Sequence, residues 1–215
     1  MQFKKYLEAP LPKWTTFKGL TPYPLALQMM EESVEKIQLG QDTEQIFLLE
    51  HPPLYTAGTS AKLQELIGSG DFPVYFTGRG GKYTYHGPGQ RLVYVMLDLR
   101  HRMKDIRAFV KALEEWIIQS LKTLDVRCER REGRIGLWVD HQGDEKKIAA
   151  IGIRLKQWIS FHGVAINVNP DLTHYQGIVP CGIKEYGVTS LEALGSSASL
   201  EDLDEALYKT FSLIF

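Results

Sequence analysis

The chain of 215 residues is long enough for one sizeable core, and its 44% hydrophobic and 24% charged content fits an ordinary globular protein. A net charge of −1 gives no global attraction to nucleic acid or to a membrane surface, so charge-guided docking has to be local. No apolar run approaches the ~18 residues of a membrane span, and Met1 to Pro10 lacks a signal-peptide apolar stretch. A cytoplasmic protein, or the processed form of an organellar one, is expected.

A helix is predicted from about Thr21 to Ile37, where Ala26, Met30, Val34 and Ile37 recur at helical spacing; Thr21 is the expected cap and Gly40 the expected close. Gln45 to Glu50 reads as a buried strand, ended by His51-Pro52-Pro53 because proline removes ladder donors. Val74 to Phe76 and Leu92 to Leu97 read as strands on either side of a glycine-dense stretch. Ile106 to Leu124 carries a full apolar stripe behind Asp105, a natural N-cap. Strand-like runs follow at Val126 to Glu129, Ile135 to Val139, Lys147 to Arg154 and Ile159 to Val168, with a hairpin turn at His141-Gln142-Gly143-Asp144. A last helix starts near Ser199 and carries Leu203, Leu207, Phe211 and Ile214 on one side. The expected fold is α+β: one domain over residues 1–215, with a mixed or mainly antiparallel sheet and packed helices.

Only two cysteines occur. Cys128 sits in an alternating, strand-like context and reads as a small buried hydrophobe, whereas Cys181 lies between Pro180 and Gly182 in a loop-like segment, where chemistry is more often found. Their separation gives no zinc signature, and no metal is expected. The run Thr77 to Gln90 interleaves glycines with Arg79, Thr84 and His86. It fails the Walker A and dinucleotide patterns, because Tyr83 stands where each needs another residue. A glycine-rich hairpin and a glycine-shaped ligand pocket both remain open for it. Farther on, Ala149, Ala150, Gly152, Gly163 and Ala165 leave room beside a sheet for an elongated apolar ligand, with Lys147 and His162 nearby in sequence.

Taken together, Arg79-Gly80-Gly81, Thr84, His86 to Gln90, Lys147-Ile148 with Gly152, Phe161-His162-Gly163 and Pro180-Cys181-Gly182 resemble the lipoyl(octanoyl) transferase family in order and spacing, from about Pro22 to Leu194. The resemblance implies the fold of biotin and lipoate protein ligase catalytic domains. It implies transfer of octanoyl from octanoyl-acyl carrier protein to a specific lysine of the lipoyl domains of 2-oxo-acid dehydrogenase E2 subunits and of the glycine-cleavage H protein. It implies that no cofactor, nucleic acid or membrane takes part. By position, Cys181 becomes the acyl-thioester nucleophile and Lys147 the residue that lowers its pKa and moves protons. Substrate contacts fall on Arg79, Gly80, Gly81, Lys82, Tyr83, Thr84, Tyr85 and His86, on Ala150, Ile151 and Gly152, and on Gly163, Val164 and Ala165. The rivals are an ATP-dependent lipoate or biotin ligase-like enzyme, and a non-catalytic lipoyl-domain-binding protein. Two basic clusters could steer acidic partners: Arg100-His101-Arg102 with Lys104, and Arg127, Arg130, Arg131 and Arg134.

Overall fold

A computed structural model describes residues 11–68, 70, 72–141, 143–179 and 186–215. Cys181, with its neighbours Pro180 and Gly182, lies outside the described residues. Eleven strands and three longer helices follow in chain order: β1 (Lys13–Leu20), α1 (Tyr23–Gln38), β2 (Gln45–Glu50), β3 (Leu54–Ala57), β4 (Val74–Phe76), β5 (Tyr83–His86), β6 (Gln90–Met96), α2 (Ile106–Lys122), β7 (Glu129–Arg131), β8 (Arg134–His141), β9 (Asp144–Lys156), β10 (Ile159–Asn167), β11 (Gly187–Val188) and α3 (Leu200–Ile214). The large sheet runs β1-β2-β6-β10-β9-β8-β7, with β11 beside β9, and β4-β3-β5 form a separate small sheet. Pairing is antiparallel except for β1–β2, β9–β11 and β3–β4, which gives the mixed α+β class expected.

Side-chain alternation divides the large sheet into two faces. Ile46, Leu48, Val93, Val95, Val164 and Ile166 join α2 and α3 in the main core. Phe47, Leu49, Leu92, Tyr94, Met96, Phe161 and Ala165 point the other way and pack under Ala26, Met30, Val34 and Ile37 of α1. Asp105 caps α2 by accepting from Arg107 N–H and Ala108 N–H, and Ser199 caps α3 in a reciprocal box with Asp202.

Three expectations change. Thr21 does not cap α1: Pro22 occupies the cap position, and the Thr21 carbonyl instead accepts from His51. Val126 and Cys128 precede β7 as buried core residues rather than as part of a strand. β1, β3 and β5 were hidden, β5 within the glycine-dense stretch.

The basic clusters are also largely neutralised. Arg102 is 1% exposed at its side chain and buried against Glu44, and Arg100 pairs with Asp98. Charge reversal at Arg102 would therefore strand a buried carboxylate before it tested steering. Arg130 pairs with Glu114 and Glu115, while Arg131 and Arg134 share Glu145.

Candidate active site

A cleft of about 850 Å³ lies over the α1 face of the large sheet and reaches the first half of α2 and the β7–β8 turn. Its floor comes from two adjacent cross-strand pairs, Ala165 opposite Ala150 and Gly163 opposite Gly152. One wall is the loop between β4 and β5, fastened to the sheet by Gly80 N–H donating to the Ile153 carbonyl at 2.9 Å. The small residues make this approach feasible: a Cβ at Gly152 would come within 2.8 Å of Arg79 Cδ and 3.1 Å of the Gly80 carbonyl. Arg79 is buried and spends its guanidinium on the Thr56 hydroxyl and carbonyl and on the Gly80 and Lys82 carbonyls. In this geometry it holds the loop's shape at the cleft wall. Gly163 answers to the sheet as well as to the slot, because a Cβ there would stand 1.9 Å from the Val93 carbonyl oxygen.

Lys147 reaches the same face through a local irregularity. Trp138 pairs with Lys147 but Leu137 pairs with Ala149, so β9 carries one extra residue. Ile148 and Ala149 both turn into the core against α2, a β-bulge that returns Lys147 to the side of Ala150 and Gly152. Without it, the three-residue spacing from Lys147 to Ala150 would put them on opposite faces. The Lys147 side chain is buried. Its Nζ donates to the Ile135 carbonyl at 2.9 Å and lies 4.6 Å from the Trp138 ring centroid. Gly136, at φ +108°, leaves the adjoining space open, since a Cβ there would sit 3.3 Å from Nζ and 2.6 Å from the Ala149 carbonyl oxygen. β11, whose Gly187 is six residues past Cys181 in sequence, pairs alongside Lys146 and Lys147.

Part of the remaining lining is charged (Arg107, Lys111, Glu114, Arg130 and Arg134), and three buried imidazoles stand in or behind the wall, His86 and His162 lining it and His51 behind Tyr94. His51 donates from Nδ1 to the Thr21 carbonyl and accepts the Tyr94 hydroxyl at Nε2, and burial lowers its pKa to about 4. Gln90 Nε2 donates to Asn167 and Tyr175, which leaves its oxygen to accept from His86 Nδ1. His86 Nε2 then faces the Thr56 hydroxyl at 3.2 Å, and burial holds this imidazole well below the usual histidine range. His162 takes a left-handed backbone (φ +62°), meets the Tyr23 hydroxyl at 3.3 Å and is pushed down to about 3, first by burial and then by Arg79 and Arg154. These three rings are neutral near pH 7, His86 and His162 as parts of the wall and His51 as a hydrogen-bonding support behind Tyr94.

Every sequence-predicted contact residue lines the cleft except Tyr85, which is buried with Tyr55, Tyr175 and Ile178 under the small sheet. Lys147 lines it too. Tyr23, Thr56, Tyr94, Ile135 and, from α2, Ile106 and Val110 also contribute lining that sequence reasoning missed. Thr56 had a weak local signal, three residues beyond the Pro52-Pro53 break. Cys128 behaves as the bland thiol expected, buried in the main core with its pKa raised to about 12 by burial. Among the described residues no His, Cys, Asp and Glu side chains group as a metal site, and no helix is long and apolar enough to cross a membrane.

The model of the lipoyl protein ligase A/B catalytic domain matches residues 22–212. The chain belongs to that family. An octanoyltransferase of Cereibacter sphaeroides is 55% identical over 208 residues, covering 93% of this chain and 95% of the relative. Within the family the chain thus falls among the octanoyltransferases. The fold extends to enzymes of other activity. A lipoate-protein ligase A bound with ATP superposes at TM-score 0.70 with 17% identity, over 94% of this chain and 85% of that one. A biotin protein ligase of Aquifex aeolicus with biotin and ATP gives 0.57 at 13% identity, over 94% and 70%.

Proposed function

We propose that the protein carries an octanoyl group from the thioester of an acyl carrier protein to a lysine of lipoyl domains, those of 2-oxo-acid dehydrogenase E2 subunits and the glycine-cleavage H protein, through a thioester on Cys181. The observation that supports this best is the buried Lys147 set on the cleft face in line with the small-residue slot, beside the strand that follows the Cys181 segment. An apolar slot floored by alanine and glycine suits a saturated chain, and a lysine at its wall supplies a cation and a proton carrier.

In the first half-reaction Cys181, with its proton on Lys147, attacks the thioester carbonyl as thiolate. The new C–S bond forms, the carrier's C–S bond breaks, and the departing thiolate takes the proton from the Lys147 ammonium. Lys147 is then neutral and accepts a proton from the incoming lysine ammonium. That amine attacks the acyl-cysteine, loses its second proton to solvent, and expels Cys181 as thiolate beside the recharged Lys147. The thioester arrives activated, so neither half-reaction calls for ATP.

Turnover of octanoyl-carrier thioester without ATP tests this. Cys181→Ala is expected to abolish it and Cys128→Ala to leave it within a few-fold of the parent. The opposite pattern, or an absolute need for ATP, would remove the reading.

A further inference from the structure

We propose that Trp138 is a positioning residue for Lys147: its indole face holds the Nζ group in place against the Ile135 carbonyl. This rests on the reading of Lys147 as the cation beside the reactive thiol.

Lysine ends in a compact charge on four flexible carbons, so where its Nζ comes to rest is set by the groups packed around it. Here Trp138 stands directly across the ladder from Lys147, on the same face of the sheet, with its ring centroid 4.6 Å from Nζ. An indole face attracts ammonium more strongly than any other aromatic side chain. The carbonyl, the ring and the side-chain-free Gly136 together define a cradle that fits the end of one lysine.

The placement of the ring is not explained by its own polar atom. Trp138 is 2% exposed and its Nε1 has no hydrogen-bond partner, whereas the equally buried Trp116 donates from Nε1 to the Leu207 carbonyl at 2.9 Å. An unsatisfied indole N–H is unfavourable, so the ring's orientation has to be sustained by what its faces and edges touch. Those contacts are specific. Arg134, paired to Glu145, stacks 4.7 Å from the Trp138 centroid and 4.1 Å from that of Tyr186, and the Tyr186 ring meets Trp138 edge-on at 5.5 Å. Arg134 and Tyr186 therefore brace the indole, and the indole braces the lysine.

A thiol's acidity responds to a nearby cation with the inverse of distance, so loosening Lys147 should register at Cys181 without any loss of charge from the protein. The test uses the full chain with Cys128→Ala, so that iodoacetamide reads a single thiol, and compares Trp138→Leu, Trp138→Phe and Lys147→Met across pH. With Trp138→Leu, alkylation near pH 7 is expected to slow about three- to tenfold and the profile to move up in pH toward that of Lys147→Met. Trp138→Phe, which keeps a weaker π face and is expected to fold if leucine does not, should move it about twofold in the same direction. In octanoyl transfer kcat should fall with KM nearly unchanged. If Lys147→Met shifts the profile and both Trp138 variants superimpose on the parent, the positioning role is overturned and the reading of Lys147 stands. If Lys147→Met itself superimposes on the parent, both are overturned.

Discussion

The two faces of the large sheet are made by the same strands and bury different chemistry. Toward α2 and α3 the sheet presents Ile46, Val93, Val95, Leu137, Ile148 and Ile166 to Leu113, Trp116, Ile117 and Leu207, a dry aliphatic and aromatic core. Toward α1 and the small sheet it presents alanine, glycine, the neutral His162 and Lys147 around a cleft, with the neutral His86 facing them from β5. Close packing on the first face stabilises the fold, and its residues are interchangeable within limits of volume. The second face leaves volume unfilled and buries imidazoles that stay uncharged near pH 7, the pattern of a surface kept for a ligand. One residue inserted into β9 joins the two: the bulge at Ile148 and Ala149 gives both side chains to the core and returns Lys147 to the cleft.

Substitutions on the two faces should separate activity from stability. Lys147→Ala is expected to lower kcat by about 10²–10⁴, the usual range for a lost acid/base group, while the thermal midpoint moves little. Lys147→Arg should recover little, because guanidinium keeps its proton. Leu113→Ala, on the α2 face, should cost about 2–5 kcal/mol in denaturant titration while the kcat of the folded fraction is unchanged. Equal loss of kcat in both would erase the distinction between the faces.

Acid should act on the cleft face first. His51 and His162 have pKa values lowered to about 4 and about 3, so between these values and about 6.5 the unfolded chain binds more protons than the folded one. Their contribution is fully present above about pH 6.5 and is lost as pH falls, with a slope of about 1.4 kcal/mol per pH unit for each histidine. His162→Asn tolerates the left-handed backbone and is expected to flatten that limb, read as thermal midpoint against pH between 6.5 and 4. A limb as steep as the parent's would show that His162 titrates in both states alike.

The smallest effect concerns chain length. Ala150→Leu should disfavour octanoyl relative to hexanoyl thioester by about tenfold in kcat/KM, from about 0.8 kcal/mol per excluded methylene. Gly163, which the sequence offers as an equivalent probe, is not one: even Gly163→Ala presses on the Val93 carbonyl oxygen and should cost about 2 kcal/mol of stability. An unchanged acyl preference in Ala150→Leu would move the slot away from the β9–β10 floor.

Much of this was legible in the chain because periodicity and caps report local physics. β2 matches the predicted strand, α2 starts behind its Asp105 cap, and α3 behind Ser199. The cleft-lining segments were legible through motif spacing, since glycines at Gly80 and Gly152 are where loop meets sheet. What the sequence conceals is set by long-range register. The bulge in β9 breaks no local rule, the bracing of Trp138 by Arg134 and Tyr186 joins segments 52 residues apart in sequence (Arg134 to Tyr186), and Arg102 reads as a surface charge because its partner Glu44 lies 58 residues away. Gly163 carries the same letter whether it serves a ligand or a neighbouring strand.

Intact-protein mass measurement after brief exposure of the Cys128→Ala chain to octanoyl-carrier thioester, without ATP and without acceptor, tests the central claim most directly. The account predicts a mass gain of one octanoyl group, located by peptide mapping at Cys181, absent in Cys181→Ala and discharged when a lipoyl domain is added. Turnover without any such adduct, or an adduct at Cys181 that a lipoyl domain fails to discharge, would contradict it.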